Sequence, residues 1–77
     1  MTTASRTKIV SAKDVKQGNT VYLTSCDAWS PDISVAELLT EDDFDWRLAF
    51  AQRLREVVSA TLIDAREGPY GLPELAA

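Results

Sequence analysis

Histidine is absent from this 77-residue chain, and cysteine occurs once, at Cys26. The first absence removes the commonest general base, and with it histidine-dependent triads and most zinc sites. The second excludes an internal disulfide. Glycine is scarce, and Gly18, Gly68 and Gly71 form neither a GxGxxG nor a GxxxxGK[ST] phosphate cradle. No apolar run approaches the ~20 residues of a membrane span. Met1 to Thr7 is polar and has no apolar core of a signal peptide. A cytoplasmic, reducing setting is expected. Positive charge is also short, since eight basic residues against twelve acidic give a net charge of −4. A phosphate backbone calls for a basic stripe. Arg6, Lys8, Lys13 and Lys16 cluster near the start, but they interleave with a strand and a turn and read as solvated surface. Neither nucleic acid nor membrane is expected as a partner. These absences leave no catalytic, metal or cofactor residue to name, and the chain is expected not to be an enzyme.

What is present is the composition of a folded domain. Hydrophobic residues make up 45%, with two each of Trp, Tyr and Phe, and disordered chains are poorer in both. The length suits one domain over 1–77. A domain of this size buries only about 60% of the surface its unfolded chain exposes, so its core is thin. Residues 1–7 read as a frayed terminus and 68–77 as a tail without assigned structure.

Ile9 to Ala12 is a short apolar run, and Thr20 to Thr24 is β-branched and aromatic, so the two read as a hairpin. Asp14 to Asn19 supplies the turn, with Gly18 and Asn19 able to take positive φ. Ser25 to Ala28 is a second turn. Trp29-Ser30-Pro31-Asp32 redirects the chain, because Pro31 fixes φ and offers no donor. Residues 33–39 fit two patterns. Ile33, Ala36 and Leu39 suit a helical face, whereas Val35 and the approach to Leu39 suit a strand; a turn followed by a strand over 36–39 is favoured.

Thr40-Glu41-Asp42-Asp43 is the clearest local signal. Thr40 is a natural N-cap, and the acids sit where the helix dipole favours negative charge. An amphipathic helix over 41–56 follows, with Phe44, Leu48, Ala51, Leu54 and Val58 on one side. Val57 to Ala65 reads as a final strand, ended by Gly68-Pro69-Tyr70-Gly71. The expected fold is α+β, β-β-(β)-α-β: a small antiparallel sheet of three to four strands with one amphipathic helix.

Two groups of residues invite a functional reading and are explained more simply. Cys26, as a nucleophile, would need a neighbouring cation or a helix N-terminus, and its neighbours are Ser25 and Asp27. Glu41, Asp42, Asp43 and Asp45 depart from the calcium-loop pattern, and the helix start accounts for the first three. Trp29 reads as a plug for one end of the sheet. Trp46 is harder to place. It lies about 200° round the helix from Phe44, near the line of Phe50 and Val57. An apolar face this wide exceeds what a thin sheet covers, so either the C-terminal tail or a partner completes it. Arg47, four residues after Asp43, suits an intrahelical pair. Trp46, Phe50, Val57, Arg47 and Arg53 are the candidate interaction surface, for a protein partner or for a homo-oligomer.

Val10-Ser11-Ala12-Lys13, Gly18 followed by Val21-Tyr22-Leu23, Trp29-Ser30 with Ala36 seven residues on, the acid-capped helix, and Val57-Val58 leading to Leu62-Ile63-Asp64 together resemble a known pattern. It is that of a small α-proteobacterial family, domain of unknown function 2849, often encoded beside assimilatory sulfite reductase. The resemblance spans about residues 8–65. Cys26 is not a motif position of the family. Its members tend to continue into a basic tail where this sequence has Pro73-Glu74-Leu75-Ala76-Ala77. The resemblance carries over no catalytic or binding residue. It implies an accessory or interaction protein linked to sulfite reduction, with sulfite reductase as a partner. The alternatives are a small-ligand or anion-binding module and, behind it, a thiol-based sulfur carrier working through Cys26.

Overall fold

The computed structural model describes residues 7–76. Five strands, one helix and a 3₁₀ turn follow in the order β1 (Lys8–Asp14), β2 (Thr20–Leu23), β3 (Trp29–Ser30), the 3₁₀ turn (Ile33–Val35), α1 (Glu41–Gln52), β4 (Val57–Glu67) and β5 (Pro73–Leu75). The strands form one sheet ordered β3-β2-β1-β4-β5, and each neighbouring pair is antiparallel. The class is α+β as expected, with five strands rather than three to four. The sheet curls, so that β5 at one edge approaches the 3₁₀ turn that follows β3 at the other.

Alternation along β1 explains why both faces of the sheet are covered. Val10 faces α1 and joins Leu23, Leu39 and Ala51 in one buried cluster, with Phe44, Phe50 and Leu62 packed on it. Ile9 points the opposite way and meets Ala36 and Ala65, flanked by Ile33 and Ile63. Successive residues of a strand point to opposite faces, so a central strand apolar at consecutive positions needs cover on each. α1 supplies the first cover and residues 33–39 the second.

Residues 36–39 do more than cover. Lys8 and Leu39 exchange backbone hydrogen bonds of 3.1 and 2.7 Å, and Glu37 N–H donates to Leu23 O at 3.0 Å. Isolated bridges join Ala36 to Thr24 and Leu39 to Lys8. The segment therefore lies between the diverging ends of β2 and β1 and satisfies a backbone edge on each. The strand expected over 36–39 is reduced to these two bridges, and the 3₁₀ turn precedes it.

The expected boundaries need further correction. α1 stops at Gln52 rather than at 56. Its last bonds tighten to i→i−3, from Arg53 N–H to Phe50 O and from Leu54 N–H to Ala51 O, and the chain must then straighten so that Val57 pairs with Asp14. Thr40 does occupy the N-cap, but its side chain makes no capping bond. β4 extends past Ala65 to Glu67, and the segment left without an assigned structure takes a definite form over 68–76: the Gly68–Gly71 turn returns the chain as β5, where Arg66 pairs with Glu74 at 2.9 Å. Of the expected frayed residues, 1–6 lie outside the described residues, and Thr7 O accepts from Ala65 N–H at 3.2 Å.

β4 carries a bulge. Between Ser11↔Thr61 and Lys13↔Val58, β1 advances by two residues and β4 by three. Ser59 has φ 59°, the left-handed conformation that an L-residue adopts at a cost of about 1–2 kcal/mol. The extra step lets Val57 and Ala60 face the same core cluster. Ser59→Gly should raise stability by about 0.5–1 kcal/mol, the strain relieved less the entropy that glycine adds to the unfolded chain. Urea unfolding measures it, and a loss of stability would mean that the Ser59 side chain contributes more than its strain removes. Asp32 gives a second expectation. It accepts from Ser34 Oγ–H at 2.7 Å and Ser34 N–H at 2.9 Å, and these bonds hold its carboxyl below its ordinary 3.8. Its contribution to stability is complete above that value and is lost as pH falls through the lower native one. The stability difference between the native chain and Asp32→Asn should be constant at neutral pH and shrink only at strongly acidic pH.

Candidate functional site

The helix stripe that faces the sheet runs Phe44, Arg47, Leu48, Ala51, spaced i, i+3, i+4, i+7. One of these core positions holds a cation. Arg47 is only 5% exposed, and it is the one buried charged residue among those described. A guanidinium taken out of water needs carboxylates and acceptors around it, and two other segments bring them. Arg47 Nη1 donates to Asp27 Oδ1 at 2.8 Å, and Nη2 donates to Thr24 O at 3.2 Å. Nη2 also lies 3.0 Å from Glu37 Oε1. This last contact is an ion pair without hydrogen-bond geometry, and Arg47 Nε has no partner.

Aromatic rings complete the enclosure. The guanidinium carbon sits 5.2 Å from the ring centre of Trp46 and 5.2 Å from that of Phe50. The flat, weakly hydrated guanidinium stacks on such faces better than an ammonium would. Asp43 is not Arg47's partner, contrary to the intrahelical pair expected. It accepts from Trp46 Nε1–H at 2.7 Å, which fixes the indole over the guanidinium.

The structure thus gathers three of the five surface candidates and separates the other two. Trp46 is 56% exposed and faces solvent. Phe50 is half-buried against the main core. Arg47 is enclosed between them, so the two rings do not form one continuous outer patch, although they lie near one line of the helix. Val57 is buried with Ala12 and Val21 on the sheet and cannot extend an outer surface. Arg53 is exposed at the helix C-cap. Trp29, the expected plug, packs against two core clusters from β3, and its indole N–H is buried without a partner.

Asp27 and Glu37 escaped the sequence reading, because nothing local ties residues 20 and 10 positions away to Arg47. The available signal was Arg47 itself, a cation within the buried stripe. Cys26 is an exposed free thiol in the 24–28 turn, beside the aspartate that Arg47 holds. Among the described residues no three His, Cys, Asp or Glu gather as a metal site, and no helix is long and apolar enough to cross a membrane.

The site therefore has two layers: an enclosed ionic staple, and an exposed tryptophan set on it. The family described as Protein of unknown function (DUF2849) matches residues 8–76, and the chain belongs to that family. The match reaches through β5, beyond the 8–65 span of the resemblance. No curated protein and no solved structure matches.

Arg47→Ala should cost about 2–3 kcal/mol, below the roughly 3–5 kcal/mol for breaking a fully buried pair, since the freed Asp27 can rehydrate. Trp46→Ala should cost about 1 kcal/mol or less, because it removes an exposed ring and one cation–π contact. Chemical denaturation of both variants checks the order. Equal losses would place the Trp46 ring in the core.

Proposed function

We propose that the protein is a non-enzymatic interaction module that docks through Trp46 onto a partner protein with a basic surface. The observation that carries this reading is the state of the Trp46 ring. It is more than half exposed, yet it is held in one orientation by Asp43 beneath its nitrogen and Arg47 beneath its face. A pre-oriented indole loses little freedom on binding, and tryptophan is enriched among residues that dominate interface energies. A singly exposed aromatic is also common on ordinary surfaces. What separates Trp46 from that case is its rim.

Glu41, Asp42 and Asp45 are exposed on the same two helical turns. They suit the helix dipole, and they also surround the indole with negative charge. Two copies meeting symmetrically through Trp46 would oppose these rims and repel. A partner whose apolar pocket is rimmed by Lys or Arg fits instead. The family resemblance supports assimilatory sulfite reductase as that partner, in the bacterial cytoplasm, with sulfur assimilation as the process.

Surface plasmon resonance with purified assimilatory sulfite reductase tests the reading. Saturable binding is expected, weakened about tenfold or more by Trp46→Gln and by raising salt from ~50 to ~300 mM. Cys26→Ser should leave it unchanged. Binding that Trp46→Gln does not touch would remove the indole from the contact, and no binding would remove sulfite reductase as the partner. Sensitivity to Cys26→Ser would favour the sulfur-carrier alternative.

A further inference from the structure

Beyond the carboxyl end of α1, the β1–β4 ladder runs past its last pair, Asp14↔Val57, into the two flanking loops. Val15 N–H still donates to Glu56 O at 3.0 Å. There the side chains of Asp14, Val15, Lys16, Arg55 and Glu56 line an open groove of about 380 Å³. That volume lies within the range of small-molecule sites.

Its charges are not spent on one another. No ion pair among the described residues joins any of these four ionised groups to another. Asp14 is occupied differently: its Oδ1 accepts from Lys16 N–H at 2.7 Å and Gln17 N–H at 3.1 Å, closing the turn. What remains is two free cations, Lys16 and Arg55, one free carboxylate, Glu56, and the isopropyl group of Val15, which is 54% exposed. Lys16 and Arg55 line the same groove and neither has an ion-pair partner, so an oxyanion placed there would attract both. A guanidinium grips such a group with two parallel N–H donors. Glu56 would oppose a simple anion but would attract a ligand that also carries an ammonium.

The geometry points to a binding site for a compact zwitterion, with a carboxylate or similar oxyanion at Lys16 and Arg55, an ammonium at Glu56, and a short carbon chain over Val15. This site shares no residue with the Trp46 surface and stands or falls independently of it.

The test is an NMR titration of the ¹⁵N-labelled full chain with three probes of matched length: γ-aminobutyrate, butyrate and butylammonium. γ-Aminobutyrate should give saturable shifts confined to 14–17 and 55–57, with a millimolar Kd, about −4 kcal/mol, as suits exposed ion pairs. Butyrate and butylammonium should bind about tenfold more weakly. Lys16→Met and Arg55→Met should each weaken γ-aminobutyrate binding several-fold at unchanged melting temperature. Glu56→Gln should erase the preference for γ-aminobutyrate over butyrate, a change that simple loss of structure would not produce. Absence of saturation with any probe would overturn the site. Equal affinity for butyrate and γ-aminobutyrate would overturn the zwitterion.

Discussion

A single guanidinium, enclosed where a leucine would ordinarily sit, sets much of this structure. Arg47 cannot leave the core stripe of α1, and its charge cannot stay there alone. Asp27 reaches it from the β2–β3 turn and Glu37 from the segment that leads into the helix. Asp27 stands where the backbone reverses, and Glu37 in the extended segment that bridges β2 and β1. Asp27 itself adopts φ 64°, a conformation that aspartate tolerates better than most residues. The ion pair therefore fixes the path of two connections as well as compensating a charge. A hydrophobic residue at position 47 would satisfy the core and leave both connections less determined.

The second organising feature is the divergence of β1 and β2. Two strands that part expose unpaired backbone groups, which are costly inside a small domain. Residues 36–39 fill the opening, with Ala36 against Thr24 and Leu39 against Lys8. Ala36 faces one core cluster and Leu39 the other, so the same four residues satisfy the sheet edge and cap both cores. Such economy suits a chain with little apolar surface to bury.

The sequence made the centre of the fold legible and left its margins obscure. The β1–β2 turn, the start of α1 at Glu41 and the start of β4 at Val57 followed from Gly18, the Thr40 cap position and the Val57-Val58 pair. β5 did not, because it is three residues long, begins with Pro73, and owes its place to pairing with Arg66 rather than to its own propensity. The 36–39 segment satisfied both periodicities, and only its neighbours could decide between them. At the candidate site the exposed Trp46 was legible and the enclosure of Arg47 was not. Helical spacing offered Asp43 as Arg47's partner, while tertiary structure supplied two acids from elsewhere and gave Asp43 to the indole. Periodicity locates a face; it does not say which charges will be brought to it.

β1 lies at the centre of the sheet, and its longer partner, β4, begins more than forty residues later. During synthesis the first strand therefore emerges with its inner edge unpaired and must wait for the carboxyl half of the chain. The β1–β2 hairpin can form early, since its contacts are local, but neither core closes until α1 and β4 have both arrived. Ile9 and Val10, among the most deeply buried residues of the native fold, are then apolar residues of the nascent chain without cover. Folding becomes a late, concerted event, and a ribosome stalled within β4 would hold out a sticky strand edge to its surroundings.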